Sequence, residues 1–120
     1  MNQPPRPRVL LADDHAGVLT ALQRLLAPSC EIVGQVTTGS AVLEAATRLK
    51  PDVVVLDVTL ADVSGLVVCA QIKHAAPQTR VVVLTAADDP PIRARAFEVG
   101  ASAFVLKHLV VEDLLPAITG

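Results

Sequence analysis

A chain of 120 residues with a formal net charge of −2 has room for one packed domain and lacks the positive excess that nucleic-acid or anionic-membrane surfaces need. Hydrophobic residues make up 52% and charged residues 18%, ample for a core, but the aromatic share is 2%, which excludes a base-stacking platform. Cys30 and Cys69 stand far apart with no C-x-x-C motif, and no apolar run reaches the roughly 18 residues of a membrane span. Two free thiols in a reduced, cytoplasmic compartment is the expectation.

The opening MNQPPRPR is too rich in proline for a helix and has no apolar h-region, so residues 1–7 are read as a flexible leader before a domain over 8–120. VLLA (9–12) is a first strand. Val18, Leu19, Leu22, Leu25 and Leu26 share one face of a helix over 15–27, stopped by Pro28. EIVGQV (31–36) is a second strand at a sheet edge, weakened by Gly34. A helix over 40–50 carries Val42, Leu43, Ala46 and Leu49 on one side and is closed by Pro51. VVVL (53–56) is apolar on both faces, which places it in the middle of a covered sheet.

A helix from about 64 to 75 follows, and VVVL recurs at 81–84 as a second central strand. Asp89 before Pro90 and Pro91 predicts an N-cap with prolines in the first turn, and Gly100 takes the C′ position after a helix to Val99. SAFVL (102–106) is a fifth strand. EDLLPAI opens a last helix, with Pro116 near its first turn and the helix clipped short at the end of the sequence. Strict alternation of strands and helices predicts an α/β fold around a parallel sheet.

In such sheets ligands bind beyond the carboxyl ends of the strands. There the first strand delivers Asp13 and Asp14, the third Asp57, the fourth Thr85 and the fifth Lys107, while the second delivers only Thr37 and Thr38. Taken singly, an Asp after a strand is usually a helix cap, a Thr is structural and a Lys is a solvated charge. Five such residues on one rim point instead to a site. Asp52, five residues before Asp57, falls roughly 16 Å away at the opposite rim and reads as a turn residue.

Carboxylates within about 5 Å of each other repel by roughly 3 kcal/mol per pair at an effective dielectric of 20, so Asp13, Asp14 and Asp57 require a compensating cation or a raised pKa. An all-oxygen set suits Mg²⁺ better than zinc. Asp57 can then act as a nucleophile toward a phosphoryl group, with Mg²⁺ and Lys107 stabilising the charge on the oxygens and Thr85 bonding one of them.

Together LLADDH, PDVVVLDVTLADVSGL, VVVLTA and GASAFVLK resemble, in order and separation, the receiver domain of bacterial two-component response regulators, from Arg8 to Thr119. The DDH start and GASAFVLK ending are most similar to the subfamily with NarL-type (LuxR) helix-turn-helix outputs. The resemblance implies a five-stranded parallel sheet of order 2-1-3-4-5, doubly wound in the flavodoxin-like, CheY-like manner. It implies that Asp57 is the phosphoacceptor for a sensor histidine kinase. Asp13, Asp14, Asp57 and the backbone carbonyl of Thr59 would hold Mg²⁺. Thr85 would be the switch hydroxyl, Lys107 the phosphate-pairing cation and Phe104 the aromatic switch, a core phenylalanine being the plainer alternative for the last.

Three positions after the phosphoacceptor depart from the family's D-x-x-M-P-x-x-D-G: Leu60 for methionine, Ala61 for proline and Ser64 for the acid. A more mobile loop is the expectation. His108 stands where many receivers have proline. His15 could offer a nitrogen near the metal but is expected to be an exposed first-turn residue, and His74 and His108 to be solvated.

The leading function is therefore a phosphorylation-dependent signalling switch, not an enzyme beyond assisting its own phosphorylation and dephosphorylation. A constitutive interaction module is the alternative, disfavoured by the complete residue set. An Mg²⁺-dependent phosphohydrolase is a third reading, weakened by Thr59 standing where such enzymes carry a second acid. Expected partners are a histidine kinase and a DNA-binding output domain beyond residue 120, with a stand-alone receiver as the alternative and a dimer left open. No membrane contact and no direct nucleic-acid binding by this segment are expected.

Overall fold

Six valines, Val53–Val55 and Val81–Val83, are sealed from water on both faces of two adjacent strands, as their unbroken β-branched runs require. These strands are β3 (Val53–Asp57) and β4 (Arg80–Thr85) in a computed structural model that describes residues 5–120. Residues 1–4 of the expected leader lie outside the described residues. With β1 (Arg8–Ala12), β2 (Glu31–Val36) and β5 (Ala103–Leu106) they form one parallel sheet of order β2-β1-β3-β4-β5.

Alternate strand residues feed two separate cores. Val9, Leu11, Val53, Val55, Val82 and Leu84 pack with α1 (Ala16–Leu26) and α5 (Val110–Thr119). Leu10, Ala12, Val54, Leu56, Val81 and Val83 pack with α2 (Gly39–Leu49), α3 (Gly65–Ala75) and α4 (Pro90–Glu98) on the other face. The edge strand shows why Gly34 matters. The β1–β2 register skips between Val9↔Ile32 and Leu10↔Gly34, and a Cβ on Gly34 would stand 3.2 Å from the Leu10 and Leu49 Cδ1 atoms. The expected N-cap at Asp89 accepts from the Ile92 N–H at 3.2 Å, and Gly100 adopts φ 106°.

The last helix differs from expectation. Lys107–Leu109 forms a 3₁₀ turn, α5 starts at Val110, and Pro116 is therefore the seventh of its ten residues. Its ten residues fall within the range of the other four helices, which run from 9 to 11. An interior proline costs about 3 kcal/mol in a solvent-exposed helix. Here the residue and Glu112, whose carbonyl loses its helical partner, are both exposed to water, while Leu114 and Ile118 one turn apart are fully buried. Burial of that face outweighs the local penalty.

Asp52 holds the opposite rim. Its carboxylate accepts the Arg8 N–H at 2.8 Å, and its own N–H and carbonyl join Arg8 and Arg80, at 2.8 and 3.0 Å. Both cysteines are free and buried. Burial pushes the Cys69 thiol up to about 11, away from thiolate chemistry. Among the described residues no helix is long and apolar enough to cross a membrane.

Candidate functional site

From β1 the chain runs to α1 on one face of the sheet and from β3 to α3 on the other, so the crevice between these strand ends is the topological switch point. Asp13 follows β1 into it. Its N–H donates to the Val36 carbonyl at 3.1 Å, and its fully buried carboxylate accepts the His15 N–H on Oδ1 at 2.9 Å. That bond closes a turn that starts α1 with His15, not Asp14, as the N-cap residue. His15 is exposed as expected, although it precedes the first turn instead of lying in it. His74 and His108 are exposed too.

Asp57 ends β3 and is 2% exposed. Its Oδ1 accepts the Thr59 N–H at 3.1 Å, and its Oδ2 lies 3.4 Å from Lys107 Nζ. The same ammonium lies 2.9 Å from Asp13 Oδ2. Lys107, placed by β5 and the 3₁₀ turn, therefore stands between the two buried carboxylates and supplies a cation that their mutual repulsion demands.

The electrostatics follow from burial and charge. Burial raises the Asp57 pKa; the Thr59 N–H opposes the rise, Asp13 adds to it and Lys107 subtracts. For Lys107, burial works to lower the pKa but is outweighed by the Asp13 and Asp57 carboxylates that face it, so the net shift is upward. The lysine stays a cation while the neighbouring carboxyl is made harder to ionise.

Asp13, Asp14 and His15 each offer a ligand atom within 4.8 Å of the others. Asp57 is not in that group, but it shares Lys107 with Asp13. Asp13 Oδ2 and Asp14 Oδ1 are buried acceptors without a hydrogen bond. Lys107 Nζ at 2.9 Å from the first and His15 Nδ1 at 2.9 Å from the second bring charge or a nitrogen close, but neither is aligned as a hydrogen-bond donor. Oxygens in that state fit a hard divalent cation.

Thr85 ends β4, 7% exposed, and donates its hydroxyl to the Ala87 carbonyl at 3.3 Å. Through the β4–β5 register Thr85 pairs with Leu106 and Val83 with Phe104. Phe104 is half-buried against the α2–α3–α4 core. The guanidinium of Arg93 lies 5.5 Å from its ring centre and 6.0 Å from that of Phe97, so one arginine of α4 covers both aromatic residues of the chain. The i,i+4 spacing of Arg93 and Phe97 was a legible signal for the second contact, whereas nothing local announces the first.

The loop after Asp57 is tied more firmly than its lack of proline suggests. Thr59 and Ser64 form an antiparallel bridge, the Gly65 N–H donates to Val58 at 2.8 Å, and the Ser64 hydroxyl caps α3 by accepting from Leu66 at 3.2 Å. Asp62 reaches across to α2, accepting from Gly39 and Ser40 at 2.7 and 3.2 Å.

The family model of the response regulator receiver domain matches residues 9–119. The response regulator GacA of Pseudomonas aeruginosa is 34% identical over 113 residues, covering 92% of this chain and 53% of GacA. The response regulator VraR of Staphylococcus aureus is 30% identical over 113 residues, covering 92% of this chain and 54% of VraR. The chain thus spans about half the length of the curated relatives it matches. Among solved structures, the signal receiver domain of NarL from Mycobacterium tuberculosis superposes with a TM-score of 0.87 at 32% identity, over 98% of this chain and 99% of that one. The response regulator domain of Thermotoga maritima CheB gives 0.87 at 28%, over 94% and 93%. The chain is a receiver domain of the response regulator family.

Proposed function

We propose that this receiver accepts a phosphoryl group on Asp57 from the phosphohistidine of a sensor kinase. An Asp57 carboxylate oxygen forms the new bond to phosphorus, the phosphorus–nitrogen bond breaks, and the imidazole nitrogen leaves with its electron pair. The observation that carries the reading is the buried Asp57 carboxylate, steadied on one oxygen by the Thr59 N–H and faced on the other by Lys107. Lys107 is placed to pair with the arriving oxygens, and the Thr85 hydroxyl can turn from Ala87 to a phosphoryl oxygen.

The unbonded oxygens of Asp13 and Asp14 support Mg²⁺ as the cofactor, held with Asp57 and the Thr59 carbonyl. When bound, Mg²⁺ would offset the charge on the phosphoryl oxygens. Reorientation of Thr85 would let Phe104 move inward and so alter the surface formed by α4, β5 and α5. One relative, NarL of Mycobacterium tuberculosis, is named a transcriptional regulatory protein, and transcription through a segment outside this chain is the proposed output. A phosphohistidine donor and two free thiols accord with the cytoplasm.

Two expected outcomes test the site. Millimolar Mg²⁺ raises the melting temperature of the wild-type chain, since a ligand of the folded state stabilises it, and Asp14→Asn removes most of that rise. The chain has no Trp or Tyr, so calorimetry is the measurement; an equal rise in both proteins refutes the metal assignment. Phosphorylation by acetyl phosphate shifts amide resonances around α4 and β5 in the wild type. Thr85→Ala still gains the phosphoryl group but loses most of those distant shifts. Shifts confined to the loops at Asp13, Asp57 and Lys107 in the wild type would mean a phosphoacceptor without a switch.

A further inference from the structure

The segment from Val58 to Ser64 carries the backbone of Thr59, yet none of its residues belongs to a helix or strand. Its base is closed by the Thr59–Ser64 bridge and by the Gly65 N–H on Val58. Its tip is Asp62, whose two carboxylate oxygens take the Gly39 and Ser40 N–H groups at the start of α2. We propose that Asp62 is a positioning residue of the site: it docks the loop on α2 and thereby holds Thr59, and through the Thr59 N–H the Asp57 carboxylate. The inference rests on the reading of Asp57 as phosphoacceptor and of Thr59 as a metal ligand.

Capping alone does not account for Asp62. α2 already has a cap from its own side: the Thr38 hydroxyl accepts the Ala41 N–H at 3.3 Å. Asp62, 22 and 23 residues away in sequence, serves the two N–H groups that Thr38 does not, at the positive end of the helix where a carboxylate is favoured. Its pKa is lowered chiefly by the Gly39 N–H, so the charged form is the one that grips. The two segments are also pressed together. A Cβ on Gly39 would stand 2.0 Å from Val63 Cγ1 and 3.3 Å from Asp62 Oδ1, so only glycine lets the loop lie this close. Because the bridge joins Thr59 to Ser64, a displacement of the tip is transmitted to Thr59 instead of being absorbed along a slack chain. The tether does what a proline at Ala61 would otherwise do, by an external anchor in place of a stiffened backbone.

The test uses the full chain and compares Asp62→Ala, Asp62→Asn and Thr38→Ala. In the metal-free proteins, amide exchange at Thr59 is read by NMR; with added Mg²⁺, the dissociation constant is read from the same spectra. Asp62→Ala is expected to speed Thr59 exchange about tenfold and to weaken Mg²⁺ binding about five- to tenfold, a change of the size that loss of two such bonds produces. Asp62→Asn, which keeps one acceptor oxygen, falls between Asp62→Ala and wild type and serves if the alanine variant does not fold. Thr38→Ala loosens α2 while leaving Thr59 exchange and Mg²⁺ affinity near wild type. If Asp62→Ala and Thr38→Ala behave alike at Thr59, Asp62 is only a second cap and the inference is overturned. Faster Thr59 exchange with unaltered Mg²⁺ affinity also overturns it, since the loop would then not govern the site. A wild-type chain without any Mg²⁺ response overturns the metal reading instead, a result seen before any variant is made.

Discussion

Asp57→Asn is expected to gain no phosphoryl group from acetyl phosphate and Mg²⁺ under conditions in which the wild-type chain gains one, as read by intact mass. The amide lacks the anionic oxygen that attacks phosphorus, and Asp13, which shares burial, a backbone donor and the Lys107 ammonium with Asp57, is the alternative acceptor that the result must exclude. Phosphorylation at an unchanged level would move the acceptor to Asp13 or Asp14 and undo the assignment. The same variant is expected to be as stable as the metal-free wild type, or more so, at neutral pH.

The sign of that second effect comes from the raised pKa of Asp57, caused first by burial. The folded chain holds the proton of this carboxyl more tightly than the unfolded chain does. The contribution of Asp57 to stability is therefore greatest below the unfolded value of about 3.9 and declines as pH rises through the folded value. That loss burdens the wild type as pH rises toward neutrality and is absent from Asp57→Asn. Urea midpoints compared at pH 7 and near pH 3.5 should show the variant's advantage shrinking or reversing toward acid. An advantage that grew toward acid would show the sign to be wrong.

Gly65→Ala is expected to cost more than any other glycine-to-alanine change in the chain. A Cβ there would stand 2.2 Å from the Asp57 carbonyl oxygen and 2.9 Å from the Val58 Cα. Both are backbone atoms, so no side chain can rotate aside, and either β3 or the first turn of α3 must move. Overpacking of this kind costs about 1–3 kcal/mol or more, a large share of a total stability of roughly 5–15 kcal/mol. The displaced atoms belong to Asp57, so the rate of phosphorylation should fall with stability. Gly17→Ala is the control. Its Cβ would meet nothing within 4 Å at this exposed position of α1, and removing a helical glycine there should stabilise the chain by about 0.5–1 kcal/mol. Urea denaturation followed by circular dichroism measures both, and equal midpoints for the two variants would mean that the close approach at Gly65 is not real.

By itself the sequence determined the fold and the membership of the site's rim. Short unbroken apolar runs and 3.6-residue patterns are local, and in a parallel sheet they suffice to send Asp13, Asp14, Asp57, Thr85 and Lys107 to the same edge. The Asp89 cap and the Gly100 turn were legible for the same reason, because the residues that make them are neighbours in the chain. Tertiary structure decided where side chains at that edge actually point. Lys107 stands between Asp13 and Asp57, and this depends on the turn after β5 as much as on β1 and β3. Pro116 sits deep in α5 because burial of Leu114 and Ile118 overrides a local propensity. The loop that lost its proline is held by Asp62 on α2, and Phe104 is covered by Arg93 of α4. Each of these contacts joins segments that no periodicity relates, and their energies turn on distances of a few tenths of an ångström, which only the packed chain sets.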